Sequence, residues 1–105
     1  MMRTNKKQSK TMWLLSTVLL AHDDLFRERT AAFMLRQGLP YVDALVDYVG
    51  SEDSLVAVAL RHHISEATLL RALRRLRIWA DELGPETLLR GVYGFDLSGK
   101  LRRDH

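Results

Sequence analysis

The chain has 105 residues, enough for one small domain with one modest core. It carries sixteen Lys and Arg, thirteen Asp and Glu and no cysteine, which excludes a disulfide-stapled module, a thiolate metal site and a cysteine nucleophile. The apolar share, 47%, is that of a folding chain and argues against wholesale disorder.

A net charge of +3 conceals an uneven distribution. Arg3, Lys6, Lys7 and Lys10 open the chain without an acid, and residues 1–11 read as a flexible basic tail. Between Leu39 and Ser54 the sign reverses, with Asp43, Asp47, Glu52 and Asp53 and no base. From Arg61 to Arg77 the bases return as Arg61, Arg71, Arg74, Arg75 and Arg77 against Glu66 alone.

The apolar run Met12–Ala21 follows the basic tail and imitates a signal peptide. At ten residues, with Ser16 and Thr17 inside it, the run is too short to span a membrane. It ends in His22-Asp23-Asp24 rather than at a small-residue cleavage site, so a buried helix from about Thr11 to Ala21 is expected. The Asp23-Asp24 pair suits the start of a second helix, which would turn Leu25, Phe26, Ala32, Phe33 and Leu35 inward and stop at Gly38. Pro40 and Gly50 frame a third helix with Leu39, Val42, Leu45, Val46 and Val49 on its core face. A fourth, capped by Ser51 or Asp53, spans roughly 54–62, and a fifth runs from Ser65 to Leu83, before Gly84-Pro85. A short helical turn over 86–90 follows, and residues 91–105 read as a partly ordered basic tail in which Tyr93 and Phe95 need no specific role. The expected fold is all-α: a small helical domain of about five helices over 12–90, containing a helix-turn-helix at about 54–83. The apolar runs Trp13–Leu20 and Phe33–Leu39 serve either the monomer core or a dimer contact.

The helix-turn-helix expectation rests on residue types at fixed spacing. Ala59 is small where two helices would cross, Ile64 is an apolar plug in the turn, and the Ser65 hydroxyl can cap the next helix. Leu69, Ala72, Leu73 and Leu76 recur at helical spacing and would face back onto the first helix. The turn position before Ile64, where glycine is common, is His63, so either the turn differs in geometry or His63 accepts strain. At about 100° per residue, Ala67, Leu70, Arg71, Arg74 and Ile78 share the opposite face of the fifth helix. Arginine bonds bidentately to guanine or phosphate, and small apolar side chains suit thymine methyls. A DNA-binding regulator would therefore present Ser65, Ala67, Thr68, Leu70, Arg71 and Arg74 to a groove of double-stranded DNA. Arg61, Arg75, Arg77, Lys6, Lys7 and Lys10 would neutralise phosphates, with the acids mostly away from that face.

The segments Ala44-Leu45 and Asp47-Tyr48-Val49, then Ser54, Val58 and the run from Ile64-Ser65 to Leu76, resemble the PapB/FaeB type of adhesin-biosynthesis transcription regulators. These are small helical DNA-binding proteins of enteric bacteria that control fimbrial operons, and the similarity runs from near Tyr41 to Pro85. The resemblance implies binding to AT-rich control regions in the cytoplasm, on the nucleoid. It also implies self-association on DNA as a dimer or higher oligomer, and activation or repression by site occupancy.

Other classes have less in the sequence. A helical adaptor or anti-regulator that binds protein without touching DNA would use the acidic 43–53 segment with Leu70 and Ile78. An enzyme is not expected: there is no glycine-rich phosphate loop, and Asp23-Asp24 and Glu52-Asp53 sit where helix caps belong. No cofactor is called for, and His62-His63 lacks a third ligand at metal-binding spacing.

Overall fold

The structure is a computed structural model that describes residues 9–21 and 24–93. Asp23, Lys6, Lys7 and the tail from residue 94 onward, including the expectations placed on them, lie outside the described residues. The protein is all-α: the described residues form six α-helices and no strand.

Helix α1 (Lys10–Ala21) starts one residue before the sequence expectation, inside the segment read as tail. Ser9 accounts for that start, because its hydroxyl accepts the Met12 N–H at 3.0 Å and satisfies one of the first-turn donors. Thr11, Met12, Leu15 and Leu19 are buried. The apolar run is thus monomer core along one face, while Trp13 (61% exposed) and Leu20 remain on the surface.

Helix α2 (Asp24–Arg36) corrects the expected inward face. Leu25, Ala32 and Leu35 are exposed, Phe26 and Phe33 are half-buried, and the fully buried residues are Thr30 and Met34. Thr30 is tolerated there because its hydroxyl donates to the Phe26 carbonyl at 2.8 Å. The helix ends in a Schellman motif: Gly38 takes φ +83, its N–H reaches Leu35 O at 3.0 Å, and Leu39 N–H reaches Met34 O at 3.2 Å.

Helix α3 (Val42–Val49) buries Val42, Ala44, Leu45, Val46 and Val49, and Leu39 just before it is buried too. Arg27 of α2 fastens its end to α1. One guanidinium nitrogen donates to the Gly50 carbonyl and to the Leu19 carbonyl at 3.4 Å, placing positive charge among helix-terminal oxygens. A Cβ on Gly50 would sit 3.0 Å from both Arg27 Cζ and Val46 O, so a larger residue fits only if these neighbours shift by a few tenths of an ångström.

Helix α4 (Leu55–Arg61) is capped by Ser54, whose hydroxyl accepts the Ala57 N–H at 3.1 Å. The expected caps Ser51 and Asp53 are displaced by this nearer hydroxyl, and the Asp53 carboxylate pairs with Arg61 instead. Helix α5 (Glu66–Leu83) packs against α1, α3, α4 and the short helix α6 (Pro85–Leu88), burying Leu69, Ala72, Leu73, Leu76 and Ala80. Gly84 separates α5 from α6 at φ 84 and ψ 152, a conformation essentially confined to glycine. The expected turn over 86–90 is α6 followed by a π-type turn, Leu89–Tyr93. That turn buries Val92 and sets Gly91 against Phe33, so the ordered core extends past the boundary drawn at residue 90.

Candidate nucleic-acid interface

The α4–α5 connection is built by backbone hydrogen bonds. His63 adopts φ +58, its N–H reaches Leu60 O at 3.1 Å, and Ile64 N–H reaches Ala59 O at 3.0 Å. This is a second Schellman motif, closed by histidine where α2 uses Gly38. Of the two alternatives for His63, the strained left-handed one is adopted. Ala59 is buried, and Ile64 packs against the core.

Ser65 then caps α5. Its hydroxyl accepts the Thr68 N–H at 3.0 Å and donates to Thr68 Oγ1 at 2.8 Å. Arg71 Nη2 reaches the same Thr68 oxygen at 3.4 Å. A polar line Ser65–Thr68–Arg71 therefore runs along the first two turns of α5 and orients one guanidinium relative to the cap.

Ser65, Ala67, Arg71, Arg74, Arg75 and Arg77 are exposed; Thr68 and Leu70 are half-buried. Arg74 and Arg75 pair with no acid among the described residues. The arginines divide between two sides of the helix. Arg71, Arg74 and Arg75 line a groove of about 550 Å³ together with Leu39, Ile78 and Trp79. Arg77 instead lines a separate hollow with Glu52 and Asp53. Lys10, exposed on the first turn of α1, belongs to neither.

Arg61 corrects the expectation that the acids keep clear of the basic face. Its Nε lies 3.0 Å from Asp47 Oδ2 and its Nη2 lies 2.9 Å from Asp53 Oδ2, and these two hydrogen bonds raise its pKa further. Asp47 also meets His62 Nε2 at 2.8 Å. Partial burial pushes the Asp47 carboxyl up, but hydrogen bonds from His62 and Arg61, with the Arg61 charge, outweigh it and hold the carboxyl below its ordinary range. His62 and His63 serve different ends, the first on Asp47 and the second exposed in the turn. Among the described residues no group of three His, Cys, Asp or Glu side chains is placed to hold a metal ion.

The groove beside the arginines was not anticipated. Leu39 reads in the sequence as a core residue alone, and Trp79 stands one turn beyond Arg75 without marking a face. Trp79 packs its ring on Phe33, 5.9 Å between centroids and tilted 54°, and Arg36 lies 5.8 Å above the Phe33 ring. The Trp79 indole nitrogen is buried with no hydrogen-bond partner.

Among the described residues no helix is long and apolar enough to cross a membrane. Compared with known proteins, the chain matches no family model, no curated protein and no solved structure.

Proposed function

We propose that the protein is a DNA-binding transcription regulator in which α4, the His62–Ser65 turn and α5 act as a helix-turn-helix. The observation that carries this reading is the basic face of α5: Arg71, Arg74 and Arg75 stand exposed on a helix whose start is fixed by Ser65, and whose opposite face is buried. Ser65, Ala67, Thr68, Leu70, Arg71 and Arg74 face the groove bases, and Arg75 with the N-terminal lysines neutralises phosphates. Arg61, already held by Asp47 and Asp53, contributes less to phosphate binding than its charge suggests, and Arg77 lines a hollow apart from Arg71, Arg74 and Arg75.

By its resemblance between Tyr41 and Pro85, the regulator acts on AT-rich control regions of fimbrial or similar operons, in the cytoplasm and on the nucleoid, as a dimer or higher oligomer. On that resemblance, regulation works through site occupancy and assembly. The test is footprinting on the DNA upstream of its own gene across a protein titration and a salt series. Protection that weakens steeply with salt supports the reading, since released counterions drive such binding. Absence of protection at low salt overturns it. Exposed Ile78, at 60%, favours a protein-binding adaptor as the competing reading, and that reading predicts no retention on heparin and no gel shift.

A further inference from the structure

We propose that the groove between α5 and the α2–α3 loop binds a small amphipathic carboxylate, with one anionic head and an apolar body. Its volume, about 550 Å³, lies in the range of small-molecule sites. The wall is divided along its length. Arg71, Arg74 and Arg75 form a cationic end, and Leu39, Ile78 and the Trp79 ring provide apolar surface beside it. Gln37 adds an amide, and Glu82 is the one carboxylate on the wall, at the opposite end from Arg71 and about 16 Å from it along the helix. That polarity selects orientation: an anionic head is attracted to the arginines and repelled by Glu82, so the body lies over Ile78 and Trp79.

A further observation points to an occupant of this chemistry. Arg74 and Arg75 have no acid partner among the described residues, so an incoming carboxylate displaces no existing ion pair. An inorganic anion would satisfy the arginines and leave the apolar wall wet; a neutral apolar molecule would do the reverse. The head group occupies the guanidiniums that the DNA reading assigns to nucleic acid, so the ligand competes with DNA. Only this regulatory consequence rests on the DNA-binding reading; the binding itself does not.

The experiment uses the full chain carrying Trp13→Phe, which leaves Trp79 as the sole tryptophan and replaces an exposed indole that does not line the groove. Decanoate is titrated while Trp79 emission is followed, with decyltrimethylammonium and inorganic phosphate in parallel. A saturable change with decanoate alone is the expected result, weakened about tenfold or more in Arg71→Gln/Arg75→Gln through loss of charge-assisted hydrogen bonds. Ile78→Asp, at an exposed position that does not threaten folding, abolishes it. An equal response to the cationic detergent, an equal response to phosphate, or unchanged affinity in both variants overturns the proposal. Release of a bound AT-rich duplex by decanoate is measured separately, so a protein that binds decanoate but never DNA refutes only the regulatory reading.

Discussion

Asp47 on α3 and His62 at the end of α4 meet at 2.8 Å, and the same carboxylate oxygen takes the Arg61 Nε–H at 3.0 Å. One acid thus ties the residues that end α4 to the helix behind them, beside the turn that leads into α5. The acidic segment beside the basic one is an anchor for the turn as much as a separate charged surface.

Asp47→Asn removes that anchor and costs about 1 kcal/mol of stability, the scale of partly exposed charge-assisted hydrogen bonds. The pH dependence has a definite sign. Because the folded carboxyl lies below its ordinary value of 3.8, its contribution is complete above that value and is lost as pH falls through the folded pKa. Urea unfolding of both proteins between neutral pH and pH 3 checks this: the difference between them shrinks toward acid. A difference that grows toward acid contradicts the assignment.

His63→Gly stabilises the protein by about 0.5–1 kcal/mol, because glycine takes the left-handed conformation without the Cβ strain that histidine bears. His63→Val, β-branched at the same φ, destabilises it. Thermal midpoints rank the three proteins, and the prediction fails if glycine falls below histidine.

Ser65→Ala removes the hydroxyl that caps α5 and meets Thr68, at a cost of about 1 kcal/mol. Ser65→Asp retains an acceptor at the helix start and recovers most of that loss. Chemical denaturation of the pair separates capping from a nonspecific effect, since equal losses in both variants speak against a cap.

On the DNA reading, Arg71→Ala or Arg74→Ala costs about 1–3 kcal/mol at cognate sites where the guanidinium reads a base. Arg75→Ala weakens all sequences alike, and Arg61→Ala weakens binding less than Arg75→Ala because Asp47 and Asp53 already engage its charge. Fluorescence anisotropy on specific and scrambled duplexes at one salt concentration measures all four. A larger loss from Arg61→Ala than from Arg75→Ala, in a protein with unchanged circular dichroism, contradicts the division of roles.

The helices that could be read from sequence are those with one clear apolar stripe. On α3 the expected core residues Val42, Leu45, Val46 and Val49 are buried, as are Leu69, Ala72, Leu73 and Leu76 on α5. On α2 apolar and charged residues fall around the whole circumference, so the sequence points Leu25, Phe26, Ala32, Phe33 and Leu35 inward, whereas Leu25, Ala32 and Leu35 are exposed. The usable signal was the spacing Phe26–Thr30–Phe33–Met34, hidden by a threonine that satisfies its own hydroxyl within the helix. The Ser65 cap was legible because it is local, whereas the Arg61–Asp47 pair depends on how α3 and α4 cross. The groove was illegible for the same reason, since Leu39 and Ile78 lie far apart in the chain and meet only through tertiary packing.

The packing of α1 on α5 has a consequence for how the protein is made. Leu15 and Leu19 are synthesised well before α5, one of the helices packed on α1, is complete at Leu83. At about 5–20 residues per second, the nascent chain carries an incompletely covered apolar helix for several seconds. The core closes only once α5 has been synthesised, so the interval before closure is when the chain most needs a chaperone, and a chain cut short before Leu69 has no stable fold to reach.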